Sequence, residues 1–162
     1  MHKTSLHIES MNQSFPKEQR LCSLKQTEAL FAGSGVSISA FPIRAVFITD
    51  SKESKNPVSD STELLTPKSV SPCQILVSVG KRKFKHAVDR NRAKRQVREA
   101  WRLNRDILLS EIGESIGLSI AFIWLAAEPQ PSALVHRKMK NILYRIVEHL
   151  KGQSSISSTC SE

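Results

Sequence analysis

The run LSIAFIWLAA, Leu118 to Ala127, contains a single polar side chain, Ser119. It lacks the polar–apolar alternation of a half-solvated strand, so it predicts a β-strand buried on both faces. Such a strand needs packed partners above and below it, which points to a sheet carrying helices. Its apolar core, Ile120 to Ala127, is far short of the roughly 20 residues that span a bilayer.

The rest of the chain supplies the partners. CQILVSVG, Cys73 to Gly80, sets Ile75, Val77 and Val79 on one face and reads as a second strand. Val36 to Thr49 reads as extended, with Pro42 at a strand start or on an edge because it has no N–H to give a ladder. A short helix is expected over Glu18 to Ala32, stopped by Gly33 and Gly35. After Pro129 and Pro131, Ser132 is a candidate N-cap for a last helix with Val135, Met139, Ile142, Leu143, Ile146 and Leu150 on one side. The expectation is an α+β fold, a small sheet of about four strands packed by helices in the order α-β-β-α-β-α. With 162 residues and 40% hydrophobic content, one domain over 18–150 suffices. Polar composition predicts a disordered N-terminus over 1–17, a long inserted loop over 50–72 (only Leu64 and Leu65 offer anything to bury) and a disordered tail over 151–162.

Charge narrows the function. The net charge is +9 and the pI near 9.8, which calls for a polyanionic partner. Between Lys81 and Arg105 eleven Lys and Arg residues stand against two acids, Asp89 and Glu99; the remainder holds thirteen of each sign. One segment therefore accounts for the whole excess. It reads as a basic turn, GKRKFKHAVD, followed by a helix from about Ala87 to Leu109. At 100° per residue, Ala93, Val97, Ala100 and Trp101 share one arc, with Ile107 and Leu108 extending the seam. Lys94, Arg95, Arg98, Arg102 and Arg105, with Asn91, take the other arc. One side packs on a sheet; the other is a rack of guanidinium groups.

A solvated charged face usually mixes signs so that i,i+4 pairs support the helix. Here like charges neighbour one another, which costs several tenths of a kcal/mol per pair unless a partner brings anions. Nucleic acid fits best. A membrane surface fits poorly, because the opposite face holds Ala, Val and Ala rather than large insertable residues. In the helix, from Arg90 to Arg105, Arg outnumbers Lys six to one, which suits forked contacts to phosphate. Phe84 in the turn either stacks on a base or packs beneath the turn, and His86 is either a further donor or an ordinary exposed histidine.

The stretch SVGKRKFKHAVDRNRAKRQVREAWR resembles the signature of the bacterial ribonuclease P protein component, in which a strand and basic turn lead into an Ala-x-x-Arg-Asn-Arg core and a basic continuation of the same helix. Ala87, Arg90, Asn91, Arg92, Lys94, Arg95 and Arg98 match it position by position, and Trp101 stands where the family carries an aromatic. The resemblance implies a sandwich with a left-handed βαβ crossover that includes the basic helix. It also implies binding to a catalytic RNA subunit that removes the 5′ leader of precursor tRNA. The RNA would carry the chemistry with bound Mg2+, and the protein would hold no cofactor of its own. Carried over, Lys81, Arg82, Lys85, Arg90, Asn91, Arg92, Lys94, Arg95 and Arg98 become the RNA-binding set, joined by Arg102 from the charge arc. A leader cleft between the first helix and the sheet would use Phe31, Phe41 and Arg44. Thr27 stands where an aromatic is expected one turn before Phe31, and Arg44 where some members have an aromatic, which shifts that cleft from stacking toward phosphate contact. The 50–72 insertion exceeds the family's usual short connection.

No Ser/His/Asp, Cys/His or paired-carboxylate constellation stands out, and His2, His7, His86, His136 and His149 lack metal-ligand spacing. No catalytic or metal residue is expected in the protein. Cys22, Cys73 and Cys160 form neither a disulfide framework nor a zinc site. No secretory signal is visible, and a cytoplasmic location without membrane or DNA partners is expected. The alternative function is a structural, ribosome-associated RNA-binding protein without processing activity.

Overall fold

The computed structural model describes residues 15–32, 35–51, 73–112 and 116–156. Its centre is β4 (Ile116–Trp124), flanked by β2 (Ile43–Ser51, antiparallel) and β3 (Cys73–Ser78, parallel), with β1 (Val36–Ala40) outside β2. The order β1-β2-β4-β3 puts the most apolar segment where both its faces are covered. Leu118, Ile120, Phe122 and Trp124 point to one side and Ala121 to the other, all buried.

The helices divide between those two sides. α2 (Ala87–Asn104), α3 (Asp106–Ile112) and α4 (Ser132–Ile156) cover the face bearing Ile43, Ala45, Phe47, Ile75, Ile120, Phe122 and Trp124. The short α1 (Leu24–Phe31) covers part of the other face, setting Leu30 with Leu21 and Ala121 against Val46, Ile48 and Leu76. Both sheet edges are partly closed. Leu21 N–H donates to the Ile75 carbonyl (2.9 Å) at the β3 edge, and Arg145 of α4 donates to the Ser39 carbonyl (3.1 Å) at the β1 edge. The β3–β4 crossover runs through α2 and α3.

Several local expectations are corrected. The helix expected over Glu18–Ala32 is a 3-10 turn at Lys17–Gln19, a bridge of Arg20 to Ile75, and then α1 from Leu24. Pairing to β3 holds Arg20 and Leu21 extended, and Ser23, whose hydroxyl accepts from Gln26 N–H (3.4 Å), starts the helix instead. The extended Val36–Thr49 segment is two strands turned at Phe41–Pro42, a cis peptide, so Pro42 does stand just before a strand. Gly35 allows this entry: a Cβ there would lie 2.8 Å from Val46 Cγ1 and 3.1 Å from the Leu30 carbonyl. Gly117 lies inside β4.

The basic helix ends at Asn104 rather than running on to Leu109. Asn104 Nδ2 donates to the Ala100 carbonyl (2.6 Å), a side-chain bond that competes with the backbone ladder. The Arg105 carbonyl then accepts from Leu108 and Leu109 N–H, restarting the chain as α3. At α4, the Pro131 carbonyl accepts from Leu134 and Val135 N–H and Ser132 is already helical, so Ser132 is not the N-cap. The same helix runs to Ile156, six residues into the expected tail. The expectations for residues 1–14, 52–72 and 157–162 lie outside the described residues.

Candidate nucleic-acid interface

The apolar stripe of α2 does what its spacing requires. Ala93, Val97, Ala100 and Trp101 are buried, and the Trp101 ring lies 5.8 Å from that of Phe122 in β4. Burying a side chain such as Val97 contributes about 1.5–3 kcal/mol, enough to hold the helix down against its own like-charge repulsion. Gln96 adds a polar fastening that the sequence reading passed over. Its Nε2 donates to the Gln130 carbonyl and to the Ser132 hydroxyl, both at 3.0 Å, tying α2 to the start of α4. A neutral amide among arginines is the only sequence signal for that tie.

With the stripe fixed, the opposite arc is displayed to solvent, but not uniformly. Asn91, Arg92, Arg95 and Arg98 are exposed and Lys94 is half-buried. Before the helix, Lys81, Arg82 and Lys85 are exposed on a turn closed by Lys83 N–H to the Gly80 carbonyl (3.0 Å). Phe84 packs beneath that turn, 6.3 Å from the Trp124 ring, which decides between its two expected roles. Arg90 is half-buried and fastens the turn to the helix, its Nη1 donating to the Phe84 carbonyl (2.9 Å) and the Lys85 carbonyl (2.8 Å).

Two arginines depart from the expected rack. Arg102 is partly covered and bidentate on Glu99, Nη2 to Oε1 at 2.6 Å and Nε to Oε2 at 2.9 Å. The Arg102 guanidinium holds the Glu99 carboxyl below the usual carboxylate range, with a smaller pull from His136. Arg105 is buried rather than displayed. It sits at the break between α2 and α3 and donates to Gln19 Oε1 at 2.8 Å. The cationic surface is therefore the turn plus the first three turns of α2, and it thins toward the C-terminal end. A groove of about 530 Å³ opens along it, lined by Val88, Asn91, Arg92, Arg95, Gln96 and Ser132.

The second expected surface lies across the sheet. Arg44 alternates with Val46 and Ile48 on β2 and so shares the face that carries α1. It pairs with Ser39 and Ile123 in the ladder, and its Nε donates to Ser37 Oγ at 2.8 Å. Phe31 ends α1 and is half-exposed, while Phe41 is exposed in the β1–β2 turn. Thr27, one turn before Phe31, is half-buried, and its hydroxyl donates to the Ser23 carbonyl (2.8 Å). The structure puts Phe31 and Arg44 on one side of the sheet and the arginines of α2 on the other.

Among the described residues no three His, Cys, Asp or Glu side chains come together as a metal cluster. The displayed arc of α2 is dominated by cationic side chains, which repel a hard cation rather than ligate it. Cys73 is buried, and burial pushes its thiol far above the ordinary range; Cys22 is exposed. No helix among the described residues is long and apolar enough to cross a membrane.

Comparison with known proteins converges on one family. The family model described as Ribonuclease P matches residues 15–147. A ribonuclease P protein component from Porphyromonas gingivalis strain W83 is 34% identical over 131 residues, covering 80% of this chain and 84% of that protein. One from Chlorobaculum tepidum is 37% identical over 83 residues, covering 44% and 54% respectively. The solved RNase P protein of Thermotoga maritima superposes with a TM-score of 0.51 at 25% identity, over 78% of this chain and 96% of that one. That of Staphylococcus aureus, at 17% identity and a TM-score of 0.52, covers 79% and 94% and shares the fold.

Proposed function

Because the chain belongs to the ribonuclease P protein family, we propose that it is the protein subunit of a ribonuclease P. It binds a catalytic RNA through the basic turn and the exposed arc of α2, and supports endonucleolytic removal of the 5′ leader from precursor tRNA. The observation that carries this reading is the segregation along α2. Ala93, Val97, Ala100 and Trp101 are buried, while Arg92, Arg95 and Arg98 stand in solvent on the same rigid rod.

The roles divide by geometry. Lys81 and Lys85 supply point charges from the fastened turn, whereas Arg82, Arg92, Arg95 and Arg98 supply forks suited to paired phosphate oxygens. Asn91 and Lys94 flank them. Arg90 acts through the turn that it fastens, and Arg102 becomes available as its pair with Glu99 opens. Holding these groups on a helix sets their spacing before RNA arrives, which lowers the ordering cost of binding. The leader runs over the opposite face, where Phe31 and Phe41 offer rings and Arg44 a phosphate contact. Mg2+ in the complex would be held by the RNA rather than by this chain, and would supply the charge stabilisation that hydrolysis of a phosphodiester needs.

The test is reconstitution. The full chain is added to the cognate ribonuclease P RNA, transcribed in vitro, and cleavage of precursor tRNA is followed at low magnesium. Stimulation is expected. No stimulation, with RNA binding retained, would favour a structural RNA-binding role; cleavage by the RNA-free protein would place the chemistry in the chain.

A further inference from the structure

The segment Lys81–Arg105 accounts for the net charge, but the folded body has a second cationic surface. α4 carries Arg137, Lys138, Lys140, Arg145 and Lys151 against one acid, Glu148. The neutral balance outside the basic segment arises because the compensating acids lie elsewhere in the chain.

The burial of α4 fixes which of these groups lie together. Val135, Met139, Ile142, Leu143 and Ile146 are fully buried along its inner ridge. At 100° per residue, His136, Lys140 and Tyr144 climb one flank in four-residue steps, and Arg137 stands about 20° beyond Tyr144. That flank adjoins α2 and α3: Gln96 of α2 donates to the Ser132 hydroxyl at the start of α4 at 3.0 Å, and Lys151 on the same flank pairs with Glu111 of α3 at 2.9 Å. The opposite flank faces β1, where Arg145 is bonded to Ser39. Lys140, Tyr144 and Arg137 thus extend the displayed surface past the C-terminal end of α2, toward α3, rather than forming an isolated patch.

Tyr144 is the only tyrosine in the chain and is 57% exposed. Leu103, one turn beyond Glu99 on α2, is also exposed, at 45%. Among the described residues the side chains of Arg137, Lys140 and Tyr144 take no hydrogen bond or ion pair. An uncovered ring with two free cations within one to two helical turns matches the pattern of single-stranded nucleic acid sites, in which bases stack on aromatics and cations follow the backbone.

We propose that RNA held on α2 continues over this flank of α4, with Tyr144 stacking an unpaired base and Arg137 and Lys140 holding the phosphates beside it. The inference rests on the RNA-binding reading of α2 and adds a second, single-stranded contact to it.

The test measures affinity of the full chain for the cognate ribonuclease P RNA, transcribed in vitro, across a salt series. Tyr144→Ala should weaken binding about 5- to 150-fold, the range expected for loss of one stacked base. Tyr144→Phe should stay within about two-fold, because the ring and not the hydroxyl makes the contact. Arg137→Ala and Lys140→Ala should each lower the salt slope by roughly one. Ultraviolet crosslinking of the unaltered protein should attach a nucleotide to the peptide holding Tyr144. Arg95→Ala serves as the reference for α2. If Arg95→Ala weakens binding while Tyr144→Ala does not, the α4 contact is wrong and the α2 reading stands. If Tyr144→Ala weakens binding while Arg95→Ala does not, the α2 reading is the one that fails. Equal losses for Tyr144→Phe and Tyr144→Ala would overturn stacking. A change in the mass of the protein assembly at unchanged RNA affinity would assign this flank to a protein contact and overturn the inference.

Discussion

Arg90 and Phe84 are joined by a hydrogen bond that crosses the boundary between turn and helix, Arg90 Nη1 to the Phe84 carbonyl at 2.9 Å. The same nitrogen reaches the Lys85 carbonyl at 2.8 Å. An arginine in the densest part of the basic motif is therefore committed to the protein itself. It converts a run of lysines that would otherwise sample many orientations into a turn with a set position relative to α2.

Arg90→Ala is expected to cost about 1–3 kcal/mol in urea denaturation, the usual loss when a partly buried polar group loses a charged partner. Arg98→Ala, at an exposed side chain with no hydrogen bond or ion pair among the described residues, should cost no more than about 0.5 kcal/mol. Both should weaken RNA binding. Arg98→Ala should also reduce the salt slope by roughly one, whereas Arg90→Ala should lose affinity through a disordered turn. Equal stability of the two variants would show that the fastening does not matter.

Glu99 is the one acid on the displayed side of α2, and it occupies Arg102. Glu99→Gln should strengthen RNA binding several-fold and steepen its salt dependence, because a guanidinium is released and a repulsive charge removed. Protonation should do the same in the parent chain. The Glu99 carboxyl is held below its ordinary range, so the pair is intact above the unfolded-state pKa and is lost as pH falls through the lower folded-state value. Affinity should thus rise over that acidic window in the parent and stay flat in the variant. The pair is exposed, so thermal stability should barely change.

The sheet and the two-faced helix were legible in the sequence because each depends on periodicity in one segment. Leu118 to Trp124 of LSIAFIWLAA lie in the central strand, which ends before Leu125, and Ala93, Val97, Ala100 and Trp101 became the buried stripe. What periodicity could not show was how side chains pair across the fold. Arg105 falls on the charged arc of a continuous helix, yet the Asn104 bond to Ala100 ends that helix and Gln19, remote in sequence, takes the guanidinium. The Gln96–Ser132 tie and the Tyr144 flank are likewise properties of two helices side by side. A charge count by segment hid the flank, since α4's excess of bases is cancelled by acids that are distant in sequence.

The division between Arg105 and its neighbours can be measured. Arg105→Ala should cost about 1.5–3 kcal/mol, the range for a hydrogen bond to a charged group, and Gln19→Ala a smaller amount, with RNA affinity little changed once folded. Val97→Asp should cost about 4 kcal/mol or more, since it leaves an unpaired charge in the core. A Val97→Asp variant more stable than Arg98→Ala would mean that the two faces of α2 are exchanged.

Phe31 and Arg95 lie on opposite sides of the sheet, the first at the end of α1 and the second on the outer arc of α2. If the leader and the catalytic RNA occupy these two faces, the contacts are energetically separate. Phe31→Ala should weaken binding of leader-bearing precursor relative to mature tRNA, by roughly 1 kcal/mol or more for a lost base stack. Arg95→Ala should weaken assembly with the catalytic RNA without changing that preference. In the double variant the two losses should add within about 0.5 kcal/mol, as expected for sites without shared partners. Equilibrium binding of both tRNA forms to the assembled complex reads this out. A Phe31→Ala variant that lowers only the melting temperature and leaves the precursor preference intact would make Phe31 a packing residue and turn the reading toward an RNA-binding protein without a leader site.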